Sequence, residues 1–281
     1  MSAVRAIRAI PTTINYLIAS GAGIIALAPI YIVVVNSLKT AHAAVGLSPS
    51  LPLHPHWGNF SAVNAQAGLA RAFFNSFVYA LGATAIAVLL SGLAAYVLAR
   101  RRTRRHLVIY FLLIMGIAIP TNYVTLTKVM QDAHLIDTQI GIILVYASQM
   151  IPFNVFLIYA FVDSVPRDLD EAAFIDGASP LVAFGKVILP LLRPVLLTCA
   201  VLDVLNVWSD FINPLYFLSN SSEWPMTLSV FNFYGTGASE EISNWALVSA
   251  DVLMTILPVI VIYIIAQRWI LSGLITGSVK G

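Results

Sequence analysis

Residues 163–194 read DSVPRDLDEAAFIDGASPLVAFGKVILPLLRP. The segment holds Asp163, Arg167, Asp168, Asp170, Glu171, Asp176, Lys186 and Arg193, 8 of the 28 charged residues in the chain. It also carries a helical pattern. Pro166 precedes Asp168, Asp170 and Glu171; proline is tolerated in a first turn, and acids there complement the helix dipole. Leu169, Ala172, Ala173 and Asp176 recur at helical spacing. Gly177 supplies a stop, because glycine takes the left-handed C-terminal cap without steric cost. Ser179 and Pro180 start a second helix as N-cap and first helical residue. Leu181, Phe184 and Ile188 share one apolar face, Lys186 falls in the last turn, and Pro190 ends the helix. The prediction is two short helices joined at a glycine hinge. An apolar stripe beside a cluster of acids suits docking into a cleft on a soluble partner. Phe184 and Leu181 would fill a pocket there, and Glu171 or Asp176 would meet a basic residue. The competing reading is an amphipathic pair lying on lipid headgroups. It fits less well, because interfacial helices present Lys and Arg to anionic lipid and the first helix here presents acids.

On both sides of this segment the sequence is apolar. Of 281 residues, 59% are hydrophobic and only 10% charged, with a mean hydropathy of +0.87. Soluble domains carry about 25% charged residues, so the chain has too few charges to coat a soluble surface. An ordinary soluble enzyme and a nucleic-acid binder are excluded, and so is disorder, which needs low hydrophobicity and high charge. A crossing helix needs about 20 apolar residues. Six stretches meet this: 14–37, 73–99, 107–127, 139–162, 195–218 and 245–271. Backbone inside a bilayer must satisfy its own hydrogen bonds, and these segments are too long for barrel strands, so helices follow. The first stretch is too long for a cleaved signal peptide and no small-residue cleavage pattern closes it. The expected fold class is an all-α membrane protein with six transmembrane helices. A cytoplasmic helix pair lies between helices 4 and 5, with residues 1–13 as an N-terminal tail and 14–281 as one transmembrane domain.

Orientation follows from basic residues. Arg5 and Arg8, the cluster Arg100, Arg101, Arg102, Arg104 and Arg105, then Arg167, Lys186 and Arg193, and finally Arg268 and Lys280 fall on one side. Lys39, Arg71 and Lys128 fall on the other. Both termini are therefore predicted to be cytoplasmic. The arginine cluster reads as a topology anchor, and no nucleic-acid partner is expected. Outside, residues 38–70 read as an ordered but non-helical loop; its His54 and His56 are not taken as metal ligands. Residues 219–244 read as a loop containing Gly235, Thr236 and Gly237. The single cysteine, Cys199, leaves no intrachain disulfide and no cysteine-based metal site. No phosphate-binding loop is present: Gly185-Lys186 lacks both the upstream glycine and the following hydroxyl residue.

The run Glu171-Ala172-Ala173-Phe174-Ile175-Asp176-Gly177-Ala178, followed by Phe184 and Leu189-Pro190, resembles the EAA motif of ABC importer permeases. Leu135-Ile136-Asp137-Thr138, Ile151-Pro152-Phe153 and the tail Gly273-Leu274 with Gly277–Gly281 are similar to the carbohydrate-uptake subgroup, in kind the smaller permease of maltose-type importers. Ile275 and Ser278 depart from its tail, and a second proline after Pro120 is absent. The resemblance implies a bacterial inner-membrane subunit whose helix pair seats in a groove on an ATPase. Glu171, Ala172, Ala173, Asp176, Gly177, Phe184, Leu189 and Pro190 would carry that coupling. It also implies two ATPase subunits holding ATP and Mg, a second homologous permease, an extracytoplasmic solute-binding protein facing Gly235–Gly237, and a tail reaching the ATPase interface. The chain itself is expected to bind no cofactor and to be no enzyme.

Ionisable groups within spans are costly and are functional candidates. Asp203 and Asp210 are seven apart in the fifth stretch, with Asn206 and Asn213 on the same stripe and Trp208 adjacent. Such a stripe suits a hydroxyl-rich sugar; interhelical hydrogen bonding that holds the bundle together is the plainer use. Gln149, Asn154 and Asp251 are weaker candidates of the same kind. The rival function is a secondary carrier coupling Asp203, Asp210 and Asp251 to an ion gradient. Such carriers usually contain inverted repeats, and no second copy of the 163–194 pattern is present.

Overall fold

The computed structural model describes residues 12–101, 103–237 and 244–278. Within them all regular structure is helical. In chain order the helices are α1 (Thr12–Ser37), α2 (Gly58–Ala67), α3 (Leu69–Arg100), α4 (Arg104–Met115), α5 (Tyr123–Asp132), α6 (Gln139–Ser164) and α7 (Asp168–Ile175). There follow α8 (Pro180–Ser209), α9 (Ile212–Phe217), α10 (Met226–Gly237) and α11 (Trp245–Ser278). Five of them, α1, α3, α6, α8 and α11, are long and apolar enough to cross a membrane. Arg5, Arg8, Arg102, Glu240, Glu241 and Lys280 lie outside the described residues, as do positions 1–11 and the last three of the tail.

The chain forms two compact units, one containing α1, α2 and Val230–Ile256, the other Leu69–Ser229 and the segment from Leu257 onward. The second unit is organised by α3. Ala72, Ser76, Ala80, Ala83, Ala87, Ser91, Ala95 and Ala99 are all buried, at spacings of three or four that put them along one side of the helix. Small residues let helix backbones approach closely where lipid offers no hydrophobic drive. Into this row α6 packs Ile142, Tyr146 and Met150 in one cluster and Ile158 and Val162 in another, which α8 completes with Ile188, Leu192 and Val195. In the first unit Lys39 is buried, its Nζ donating to Asn36 Oδ1 at 3.1 Å and to the Ser48 carbonyl at 2.6 Å.

Several sequence expectations need correction. The stretch 107–127 is not one helix: α4 stops at Met115 and α5 begins at Tyr123. Pro120 lacks an N–H and disfavours helical backbone at the residue before it. The Asn122 side chain then accepts from Thr125 N at 3.1 Å and starts α5 afresh. The second short helix of 163–194 is not separate from the fifth span, nor does Pro190 end it. Phe184–Ile188 form a π-helical turn in which Leu189 N–H donates to Phe184 O. This wider turn carries the chain past Pro190, which has no N–H to give, so α8 is continuous from Pro180 to Ser209. The span does not reach 218, because Asp210 leaves the helix with ψ 137° and accepts from Asn213 N at 3.0 Å, opening α9. The loop 38–70 contains α2, fastened by Asn59 Nδ2 donating to the carbonyls of Ser37 and Lys39, each at 2.8 Å. Gly235, Thr236 and Gly237 belong to the last turn of α10, not to a loop.

Candidate functional site

The elbow at 163–194 is α7 turning into α8. Gly177 has φ +80°. Its N–H donates to Phe174 O at 3.0 Å, and the Ala178 N–H donates to Ala173 O at 2.9 Å. These two bonds form a Schellman cap that satisfies the last carbonyls of α7. A Cβ on Gly177 would meet nothing within 4 Å, so the reason for glycine is conformational and not a steric clash with the turn. Gly177→Ala is accordingly expected to cost about 1–2 kcal/mol, the strain of a left-handed conformation in an L-residue, seen as a lower melting temperature in detergent without loss of the elbow's surface.

Two kinds of residue separate on this elbow. Leu169, Phe174, Ile175, Leu181 and Val182 are exposed, Ile175 at 85% and Leu181 at 76%. Glu171, Ala172, Asp176 and Pro190 are exposed as well, and Leu189 is half-buried. Ala173 and Phe184 are buried. The expectation that Phe184 fills a partner's pocket is not met: its ring lies 5.0 Å from that of Tyr96 on α3, inside the cluster with Ile188 and Leu192. Leu181, three residues earlier on the helix, does point outward.

Beneath the elbow is a contact that sequence reading missed. Asp170 is buried; its Oδ1 accepts from Tyr96 OH at 2.7 Å, and its Oδ2 pairs with Arg100 Nη2 at 2.8 Å. Arg100 Nη1 also donates to the carbonyls of Val162 and Val165, at 3.2 and 3.0 Å, and Arg167 Nη2 to Ala99 O at 3.3 Å. In the sequence Asp170 looks like one more first-turn acid and Arg100 like one more topology arginine. Only the fold brings them together.

The expected stripe Asp203, Asn206, Asp210 and Asn213 is not a single helical face, because α8 ends before Asp210. Asp203 is buried and accepts from Asn154 Nδ2 at 2.7 Å. Asp210 Oδ2 accepts from Tyr146 OH at 2.9 Å. Asn213 exchanges two bonds with Gln149, both 3.1 Å. Trp208 is buried with its ring edge-on to Phe73. The polar groups therefore tie α8 and α9 to α6, and Trp208 ties α8 to α3. Asp203 and Asn206 also reach a cavity of about 1000 Å³, where Thr121, Asn122, Ser148 and Gln149 supply further polar atoms and Phe153 and Pro152 an apolar wall. The broken segment between α4 and α5 forms its rim, and Gly116 sits where a Cβ would come 2.9 Å from Pro152 Cγ. Pro152 in turn leaves the Ser148 carbonyl without a helical donor, on a residue that lines the cavity. Gly116 and Pro120 stand at this break in the sequence, where 107–127 nevertheless reads as one helix. Asp251 belongs to the other unit; it is fully buried, and its carboxylate has no hydrogen-bond partner among the described residues. Among the described residues no group of three or more His, Cys, Asp or Glu is placed to hold a metal.

Replacing Asn154 by leucine is expected to destabilise the protein by about 3 kcal/mol. Removing the donor of a buried hydrogen bond leaves its acceptor unsatisfied, here the Asp203 carboxylate, and the cost is larger when that acceptor is charged. Thermal unfolding of the purified chain in detergent measures this, and Asn154→Gln, which keeps a donor, should cost less.

Residues 87–273 match the family described as the inner membrane component of binding-protein-dependent transport systems. The chain belongs to this family. The matched region takes in the elbow, the Asp170–Arg100 contact beneath it and the cavity. Among curated relatives, this inner-membrane component is 31% identical over 256 residues to the probable starch degradation products transport system permease of Thermoanaerobacterium thermosulfurigenes, covering 90% of this chain and 92% of that one. It is 32% identical over 256 residues to the melibiose/raffinose/stachyose import permease of Bacillus subtilis, covering 90% and 91%. In fold it is similar to a chain from the crystal structure of a bacterial ABC transporter involved in the import of the acidic polysaccharide alginate. The TM-score is 0.81 with 91% and 95% of the two chains covered, at 23% identity. An inner-membrane component with five apolar crossing helices is a multi-pass membrane protein.

Proposed function

We propose that this chain is the permease subunit of an ATP-driven importer for a sugar or related carbohydrate. It forms half of the translocation pathway beside a second, homologous permease. It crosses the membrane six times with both termini cytoplasmic, the broken pair α4 and α5 making the third crossing. Its elbow docks on one of two ATPase subunits, which hold the ATP and Mg, and a solute-binding protein delivers solute from outside. The relatives named for starch degradation products and for melibiose, raffinose and stachyose support the carbohydrate class.

The observation that carries this reading is the division of labour on the elbow. Ile175 and Leu181 stand free while Asp170, Ala173 and Phe184 root the same segment in the bundle. Exposed apolar side chains on a rooted, acid-bearing element suit a protein groove better than lipid headgroups. ATPase closure would displace the docked elbow, and α6 and α8, continuous with its two ends, would tilt. The cavity between α6, α8 and the α4–α5 break is of the size and mixed lining of a small-ligand site, which suits a solute with both hydroxyl groups and a flat ring face. The test is photo-crosslinking from positions 175 and 181 in native membranes. Adducts with an ATPase subunit are expected, and adducts with lipid alone would end the proposal.

A further inference from the structure

Tyr96 touches both arms of the elbow. Its hydroxyl donates to Asp170 on α7 and its ring packs on Phe184 of α8. One turn further, Arg100 pairs with Asp170 and caps the carbonyls of Val162 and Val165 at the end of α6. Both carboxylate oxygens of Asp170 are thus engaged from α3. The side chains of Arg100 and Asp170 are only 12% and 8% exposed, so water screens the pair little. Apart from this pair and Tyr96, α7 is held to the bundle by buried Ala173, by the Arg167–Ala99 bond at its start and by its two connections, one of which turns at Gly177. Through the pair, displacement of α7 is passed to α3.

The other end of α3 holds a different segment. Asn75 Nδ2 donates to the carbonyls of Ser222 and Trp224 at 2.9 and 3.1 Å. Tyr79 OH donates to Glu223 O at 2.8 Å, and Ser76 Oγ accepts from Met226 N at 2.9 Å. Along a helix at 1.5 Å per residue, Asn75 is about 37 Å from Arg100. We propose that Tyr96, Arg100 and Asp170 clamp α3 to the elbow as one mechanical body. In this arrangement α3 is a rod that carries elbow motion to the segment Ser222–Met226 on the opposite side of the unit. Asp170 and Arg100 are then positioning residues for energy transfer. The inference rests on the elbow being the element on which the ATPase acts.

The test uses the assembled transporter in proteoliposomes, with spin labels at Asp168 on α7 and Val97 on α3, both exposed. Distances are read without nucleotide and with ATP plus vanadate. A second pair, Asp168 and Ser221, reports whether the far end of α3 keeps its distance from the elbow. For the native clamp the Asp168–Val97 distance is expected to be the same in both states. In Asp170→Asn a second, longer Asp168–Val97 distance should appear only in the nucleotide state, and the Asp168–Ser221 distance, constant in the native clamp, should change with it. Asp170→Glu should restore the single distance. A purely structural role would lower the yield of assembled complex without producing a state-dependent second distance. The clamp is overturned if Asp168–Val97 shifts with nucleotide in the unmodified transporter, or if assembled Asp170→Asn shows one distance in both states. Should Asp170→Asn not assemble, the unmodified measurement decides alone. The docking reading fails separately, through lipid-only adducts at position 175.

Discussion

A glutamate at Ile175 combined with one at Leu181 is expected to abolish binding to the ATPase subunit while leaving the helical bundle folded. Both side chains are free in this chain, at 85% and 76% exposure, so no internal contact is lost. If each is buried on docking, each contributes about 1.5–3 kcal/mol of apolar transfer. Losing both corresponds to a weakening of at least about 100-fold in Kd. The added carboxylates would also be stripped of water without a partner, which acts in the same direction. Binding of the purified ATPase to the detergent-solubilised chain measures the effect. The same change at Leu53, exposed in the loop before α2, is the control. An unaltered affinity in the double variant, with its melting temperature intact, would show that the exposed tip is not the contact.

The asymmetry between exposed tip and buried root explains why some of this molecule was legible in sequence and some was not. Helix α7 was readable because every signal that shaped it is local: Pro166 before it, the acids in its first turn and Gly177 after it. The long spans were readable for the same reason, since crossing a bilayer is a demand on consecutive residues. Phe184 shares a helical face with Leu181 in the pattern, yet one is buried and the other free. Periodicity gives a face and not its neighbour, and Tyr96, the neighbour, lies on a helix far away in sequence. Pro190 suggested a boundary where the chain instead widens one turn and continues, because a π-helical step absorbs a missing donor that sequence rules read as an end. The polar stripe failed at Asp210 because its side chain caps the next helix, and that choice is made by the turn. Asp170 and Arg100 are the clearest loss. Each had an adequate local explanation, and their pairing exists only through tertiary structure.

The corner that starts α6 yields the second large effect. Gly141 lies in the first turn of α6, where a Cβ would come within 2.1 Å of the Leu135 carbonyl oxygen, 2.8 Å of Thr138 Oγ1 and 2.9 Å of Met130 Cε. Met130 Cε is the end of a flexible side chain and can shift, but the Leu135 backbone cannot. Leu135 N–H is bonded to Met130 O at 2.8 Å, and its carbonyl accepts from Thr138 Oγ1, also at 2.8 Å. Thr138 in turn caps Gly141 N. Two residues on, Asp137 holds φ +57°, and its carboxylate accepts from the N–H groups of Ser219 and Asn220. Pushing the corner outward therefore also loosens the segment that α3 grips through Asn75 and Tyr79. Gly141→Ala is expected to destabilise the protein by about 3 kcal/mol, the upper end for an overpacked site with rigid neighbours, despite alanine's better helix propensity. A control is Gly185→Ala, where a Cβ meets nothing within 4 Å; it should be neutral or slightly stabilising. Parallel melting curves in one detergent decide the matter: if the two alanine variants melt together, the corner is more yielding than its hydrogen bonds imply. If only Gly141→Ala melts early and Asp168–Ser221 distances also broaden in it, the corner and the far end of α3 share one packed body.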